Sequence, residues 1–405
     1  MTSSYSTDIV IFGGGIAGLW LLNRLRDQGY HAILLETDKL GCGQTLASQG
    51  IIHGGLKYAL NGALSGAATI ISDMPARWRS ALAGEAEIDL RGCRVLSEHY
   101  YMWSDSGFRS KLKTFLGSKS LSGRITAVEK QDYPDFFKAA TVEGTLYRLP
   151  DFVVDTNSLL KVLTKKQRDW IFKISPGSYT FERNESGLVN AVSFGDTDTQ
   201  FSLQAQKFIF SAGKGNQQLI DDAGLAKPKS QLRPLNMVYV KGKNLPSVFV
   251  HCIGDSFKLT PTLTVTSHSD AEGETVWYLG GEIAEAGVGK EANAQIHSAR
   301  TLLTTLFPWI NFAEMKFHCF AIDRAEANVN NNYRPENAYF IEESNVLVAW
   351  PTKLTLTPNL ADNITEHFAA SGVVPSTAAA AAAAAAEQDL SDVLEAAEIA
   401  TSRWD

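Results

Sequence analysis

Between Asp8 and Leu35 the chain passes through a β-branched apolar run, Asp8-Ile-Val-Ile-Phe12, a glycine-rich turn, a segment with one apolar face, and a second apolar run, Ala32-Ile-Leu-Leu35. In the middle piece Ile16, Leu19 and Trp20, then Leu22 and Leu25, recur at helical spacing, and Gly29 ends the helix after about Gln28. The succession predicts one βαβ unit, half of a nucleotide-binding fold.

Further along, helical spacing returns from Asp155 to Arg168, followed by a short strand over Trp170 to Ile174, a hairpin around "ERNESG" and a strand over Lys207 to Phe210. Alternating stretches such as "NMVYV" and "TVWYLGGEI" fill residues 230–325 and predict a substrate-facing sheet, while residues 76–150, without a long periodic run, predict antiparallel strands. A last strand, Asn345 to Trp350, leads through a turn-rich loop to a helix beginning near Pro358. The expected fold is α/β: a Rossmann-like domain with a central parallel sheet, assembled from residues 1–78, 152–225 and 340–405, plus a mostly antiparallel β-sheet substrate domain from residues 79–151 and 226–339. The nine alanines Ala378 to Ala386 predict a bland surface helix.

Composition narrows the picture. At 405 residues, 44% hydrophobic and 20% charged, the chain is long enough and apolar enough to fold compactly, and a net charge of −7 disfavours a nucleic-acid partner. Cys42, Cys93, Cys252 and Cys319 show no CxxC spacing, so neither a zinc cluster nor a disulfide framework is expected, and a reducing cytoplasm fits. Nor do the histidines cluster with other ligand types, so no metal is expected. The most apolar early stretch, Ile9 to Leu22, is broken by glycines and too short to span a bilayer, and predicts neither a transmembrane segment nor an export signal.

"IVIFGGGIAGLWLL" carries GxGxxG as Gly13, Gly15 and Gly18, between predicted strand and helix. Gly13 permits the tight turn, Gly15 admits a pyrophosphate to the backbone, and Gly18 lets helix and strand pack closely, leaving free N–H groups at the helix start for phosphate. Glu36, ending the second strand, suits the ribose hydroxyls of a dinucleotide. After it, "TDKLGCGQTLASQGIIHGG" is a small-residue loop able to approach a flat ligand, which favours FAD over NAD. Cys42 within it reads as small-residue packing, a covalent thioether being the lesser alternative.

Here the sequence resembles the FAD-dependent oxidoreductases of the D-amino acid oxidase and glycine oxidase type, best over residues 8–55, in "KFIFSAGKGN" at 207–216, and in "VLVAWPTKLTLTP" at 346–358. The resemblance implies flavin contacts from Gln44, Thr45, Ser48, Gly50 and Ile51, and places Thr37 near the adenosine. It also implies backbone contacts from Gly177, Ala212 and Gly213. It puts Lys353, Leu354, Thr355, Leu356 and Thr357 in the closing flavin loop. Thr357 and Pro358 read as N-cap and first residue of a helix whose dipole would point at the flavin pyrimidine.

"SQGIIHGGLKY" is also similar to a stretch in FAD-dependent glycerol-3-phosphate dehydrogenases and L-2-hydroxyglutarate oxidising enzymes, which oxidise an alcohol carbon. Imidazole suits the base role such a step needs, so His53 is a candidate base or substrate hydrogen-bond donor; a loop histidine satisfied by backbone carbonyls is the alternative. Lys57 and Tyr58 are expected to begin the next helix, Lys57 as a solvated charge. For a substrate carboxylate, the resemblance points to Arg324 in "AIDRAEA", with Arg334 as rival and a plain ion pair as the bland reading. The expected activity is hydride transfer from a small amine or amino acid to flavin N5, with oxygen or a quinone as electron acceptor. The alternative substrate is a 2-hydroxy acid or polyol phosphate with His53 as base. A nicotinamide-dependent dehydrogenase and a flavoprotein acting in RNA modification are the readings from other classes.

Overall fold

The computed structural model describes residues 3–55, 66–105, 125–195, 200–253, 261–329, 335–376 and 390–405. The strand Ser3–Phe12 lies between Ala32–Glu36 and Gln200–Phe210, all parallel, and the parallel set is extended by Ile171–Lys173 on one side and Val346–Trp350 on the other. Register pairs Phe12 with Leu35 and with Phe210, so the carboxyl ends of these strands open along one edge. Because side chains alternate along a strand, Ile9, Ile11 and Leu34 pack on the helices Ile16–Asp27 and Thr357–Ala370, while Val10, Phe12, Ile33 and Leu35 face the hairpin Tyr179–Arg183/Val189–Gly195. Burial on both faces explains the uninterrupted apolar runs.

The second large sheet is antiparallel apart from one parallel pairing, Val250–Ile253 with Tyr100–Asp105. Its longest ladder joins Ser230–Lys241 to Lys316–Ala327, and Thr275–Gly280 and Leu263–Ser269 follow. Val238, Val265, Trp277 and Leu279 of its outer face pack on the helix Ala292–Leu306. The inner face presents Tyr100, His251, Thr264, Thr266, His268 and Tyr278 toward the first sheet's loops. A small sheet of Ile51–Ile52, Phe152–Val154 and Val95–Ser97 fills the seam. There the Gln49 amide donates to the Tyr278 carbonyl at 2.9 Å and the Tyr278 hydroxyl to the Ala47 carbonyl at 2.7 Å.

Several elements differ from expectation. The helix Gly66–Ala83 occupies the start of the stretch expected to hold strands; Pro75 inside it disguises the helical pattern. The helix Ala292–Leu306 sits within the expected run of strands. Thr357 is already helical, with Leu356 as N-cap, and its hydroxyl donates back to the Leu354 carbonyl at 2.8 Å instead of capping an amide. The helix over Asp155–Arg168 is borne out as Thr156–Lys165, with the Asp155 carboxylate accepting from the Ser158 amide at 2.8 Å. The expected alanine helix, the helix start at Lys57 and Tyr58, and Arg334 lie outside the described residues.

Candidate functional site

A groove runs across the carboxyl edge of the parallel sheet, where ligands of open α/β sheets bind. It comprises two adjoining clefts of about 600 and 660 Å³ that share Gly13, Glu36, Thr37, Pro176, Ala212 and Gly215. Tyr179, Phe181 and Gly177 close the first cleft, while Gly15, Gln44, Thr45, Gly213 and Pro351 line the second. Length and position suit a dinucleotide better than a small metabolite.

The glycines divide their work. A Cβ on Gly13, whose φ is +103°, would sit 2.5 Å from the Ala212 Cα, and one on Gly18 would sit 2.0 Å from the Gly13 carbonyl oxygen. Both residues therefore allow chain to pack on chain. A Cβ on Gly15 would meet only the Thr45 hydroxyl, at 3.3 Å, so its free side faces the cleft. This matches a backbone left bare for phosphate at a helix start. The Thr45 hydroxyl accepts from the Ile16 amide at 2.9 Å and ties the following loop to that helix start.

Glu36 accepts from the amides of Gly14 at 2.6 Å, Thr37 at 2.7 Å and Asp38 at 2.9 Å. Those bonds fix the carboxylate at the junction of the two clefts, where its remaining lone pairs can accept ribose hydroxyls. Cys42 also lines the groove, and burial pushes its thiol up to about 11, so it is protonated at neutral pH.

Other expected contacts lie beyond the groove wall. The Ser48 hydroxyl is used locally, donating to the Thr45 carbonyl at 2.8 Å. Gly50, at φ +71°, lets its chain pass the Val154 carbonyl, where a Cβ would be 2.1 Å away, and Ile51 pairs with Val153. His53, half-buried, follows this strand, and its carbonyl accepts from the buried Thr355 hydroxyl at 3.3 Å. The structure thus brings His53 beside the Leu354–Thr357 turn, which Trp78 steadies by donating to the Thr355 carbonyl at 3.0 Å. Lys353 and Thr352 lead into that turn, Thr352 at φ +60°. Arg324 does not line the groove: its guanidinium lies 3.6 Å from the Glu285 carboxylate.

Three features escaped the sequence reading. Asp151 is 3% exposed, its carboxyl accepts from the Gly54 amide at 2.9 Å, and burial raises it to about 7. Its neighbour Tyr100 packs at a tilt of 48° against His251, with ring centres 4.5 Å apart, and His251 shares a 2.9 Å hydrogen bond with Thr264. Burial pushes His251 and His268 down to about 4, so both imidazoles are neutral near pH 7. Arg403, from a segment remote in sequence, lines the larger cleft. Nothing local marks Asp151 or Arg403 in the sequence; the fold assembles their surroundings.

Residues 8–303 match the family model described as FAD dependent oxidoreductase. The chain is 42% identical to the FAD-dependent oxidoreductase PA4991 of Pseudomonas aeruginosa, over 93% of this chain and 94% of that protein. The crystal structure of PA4991 superposes with a TM-score of 0.80, covering 93% and 94% of the two chains. Glycine oxidase from Geobacillus kaustophilus shares the fold at a TM-score of 0.64 and 13% identity, covering 89% of this chain and 94% of its own. The aerobic glycerol-3-phosphate dehydrogenase of Escherichia coli is 25% identical over 60% of this chain and 47% of that protein.

Proposed function

The chain belongs to the family of FAD-dependent oxidoreductases and uses FAD, and we propose that it dehydrogenates a small amine or amino acid. The supporting observation is the wall beneath the His53 corner. Asp151, whose carboxyl accepts from the Gly54 amide next to His53, has lone pairs left for a substrate N–H. In its neutral form an amine already carries the lone pair that drives C–H cleavage, and so needs little help from a base.

FAD, when bound, supplies the acceptor for the substrate's hydride. The protein's part is positional. Gly15 and the start of the helix Ile16–Asp27 would receive the diphosphate, Glu36 would take the ribose hydroxyls, and the His53 corner, braced by Thr355 and Asp151, would hold the substrate's reacting carbon. Gln44, Thr45, Ala212, Gly213 and Gly177 line the groove. Oxygen or a quinone would serve as the electron acceptor.

A second reading, oxidation of a 2-hydroxy acid or polyol phosphate, draws on the similarity to glycerol-3-phosphate dehydrogenase. An alcohol must lose its O–H proton as hydride leaves, and His53 would be the base that takes it. Anaerobic mixing of purified yellow protein with glycine, N-methylated amino acids and proline, and separately with 2-hydroxy acids and glycerol phosphate, tests both. Bleaching by amines alone supports the first reading; bleaching by the hydroxy compounds alone replaces it with the second.

A further inference from the structure

We propose that Arg403 is a cofactor-binding residue: its guanidinium is the counter-ion for the FAD diphosphate, delivered across the domain seam by the segment 390–405. This segment first joins the nucleotide domain. Glu395 and Ala396 pair with Lys173 and Phe172, the Leu40 amide donates to the Glu398 carbonyl at 2.7 Å, and the Ala400 amide donates to the Leu40 carbonyl at 3.0 Å. It then docks on the other sheet. The Trp404 ring packs against His268, Tyr278 and Tyr239 at 4.8, 5.4 and 6.2 Å between centres, and Lys241 donates to the Trp404 carbonyl at 2.7 Å. Between those anchorages Arg403 lines the larger cleft.

Charge explains why a cation belongs there. Among the described residues lining the larger cleft, Glu36, Asp38 and Asp323 are acidic, and Lys214 and Arg403 are basic. A diphosphate carries two negative charges, and a wall with more acids than bases would repel it unless the cations stand close to it. Arg403 is uncommitted: among the described residues its guanidinium lies over the Phe320 ring at 5.2 Å and forms no ion pair. The Leu40 hydrogen bonds set it beside the Gly41–Thr45 stretch, which the Thr45–Ile16 bond ties to the helix start offered to phosphate. A guanidinium fork suits phosphate oxygens.

The test is FAD affinity of the full-length protein, measured by flavin fluorescence on adding FAD to apoprotein, for wild type, Arg403→Ala and Arg403→Lys. Arg403→Ala is expected to raise the FAD Kd about ten-fold or more, with partial recovery in Arg403→Lys. The salt dependence of Kd should flatten in Arg403→Ala. The melting temperature of the apoproteins should not move, because the side chain is exposed. An unchanged FAD Kd overturns the proposal, including the case in which affinity for an anionic substrate falls instead. If Arg403→Ala lowers apoprotein stability, Arg403→Gln, which keeps the stem, decides: a normal Kd there overturns the assignment and a raised one supports it. This measurement needs no substrate, so its outcome is independent of the amine-versus-alcohol question.

Discussion

At the scale of single residues, His53 and Asp151 ask different questions. For His53→Ala we expect a loss of flavin reduction rate of about 10²-fold or more with an alcohol substrate, and a few-fold loss with an amine, read by anaerobic stopped-flow absorbance. Equal, small losses on both would remove His53 from the chemistry. Asp151 is a matter of linkage. Its carboxyl is raised to about 7 in the folded chain, against an ordinary value of about 4 when unfolded. Between those two values the folded state keeps a proton that the unfolded state has released. Stability contributed by this group is therefore full at low pH, falls as pH rises toward 7, and stays low above it. Asp151→Asn keeps the shape and an oxygen for the Gly54 amide but cannot ionise. Relative to wild type it should gain on the order of 4 kcal/mol between about pH 4 and pH 8, measured by urea unfolding. Parallel pH profiles for the two proteins would refute this.

At the scale of the element, the first turn and helix separate folding from binding. Gly15 is extended, with φ −78°, a conformation alanine adopts freely, and its open side faces the groove. Gly15→Ala should leave the apoprotein's melting temperature nearly unchanged and weaken FAD about ten-fold or more. Gly18→Ala should do the reverse in the apoprotein. Its methyl would collide with the Gly13 carbonyl, forcing helix and strand apart at a cost of about 1–3 kcal/mol before any ligand is present. A calorimetric scan of the two apoproteins distinguishes these fates. The pattern that announced this element was readable because every cue agreed: alternation in the strand, helical spacing after it, glycines between. The helix Gly66–Ala83 was hidden for the opposite reason, since Pro75 sits where proline ordinarily ends a helix.

At the scale of the whole molecule, the two large sheets are held by polar clasps across a narrow seam. Gln49 is the most exacting of them, because its amide fills the space over Gly280 and satisfies the Tyr278 carbonyl. Gln49→Leu should destabilise the holoprotein by about 1–3 kcal/mol in urea and broaden its unfolding transition, by leaving that carbonyl buried without a donor. An unchanged midpoint would show that water replaces the amide.

What the sequence determined by itself was the nucleotide half: Gly13, Gly15, Gly18 and Glu36 are neighbours in one βαβ unit, so spacing alone sets their geometry, and the choice of FAD followed from the loop after Glu36. Only the tertiary structure decided what surrounds His53 and what lines the groove from afar. Thr355, Asp151 and Arg403 reach those places from segments roughly 100 to 370 residues away. No local periodicity records such meetings, because they depend on how one sheet docks on another. For the same reason Arg324, chosen by its motif, stands beside Glu285 and off the groove: the placement of its guanidinium is set by its long partner strand and the short helix carrying Glu285.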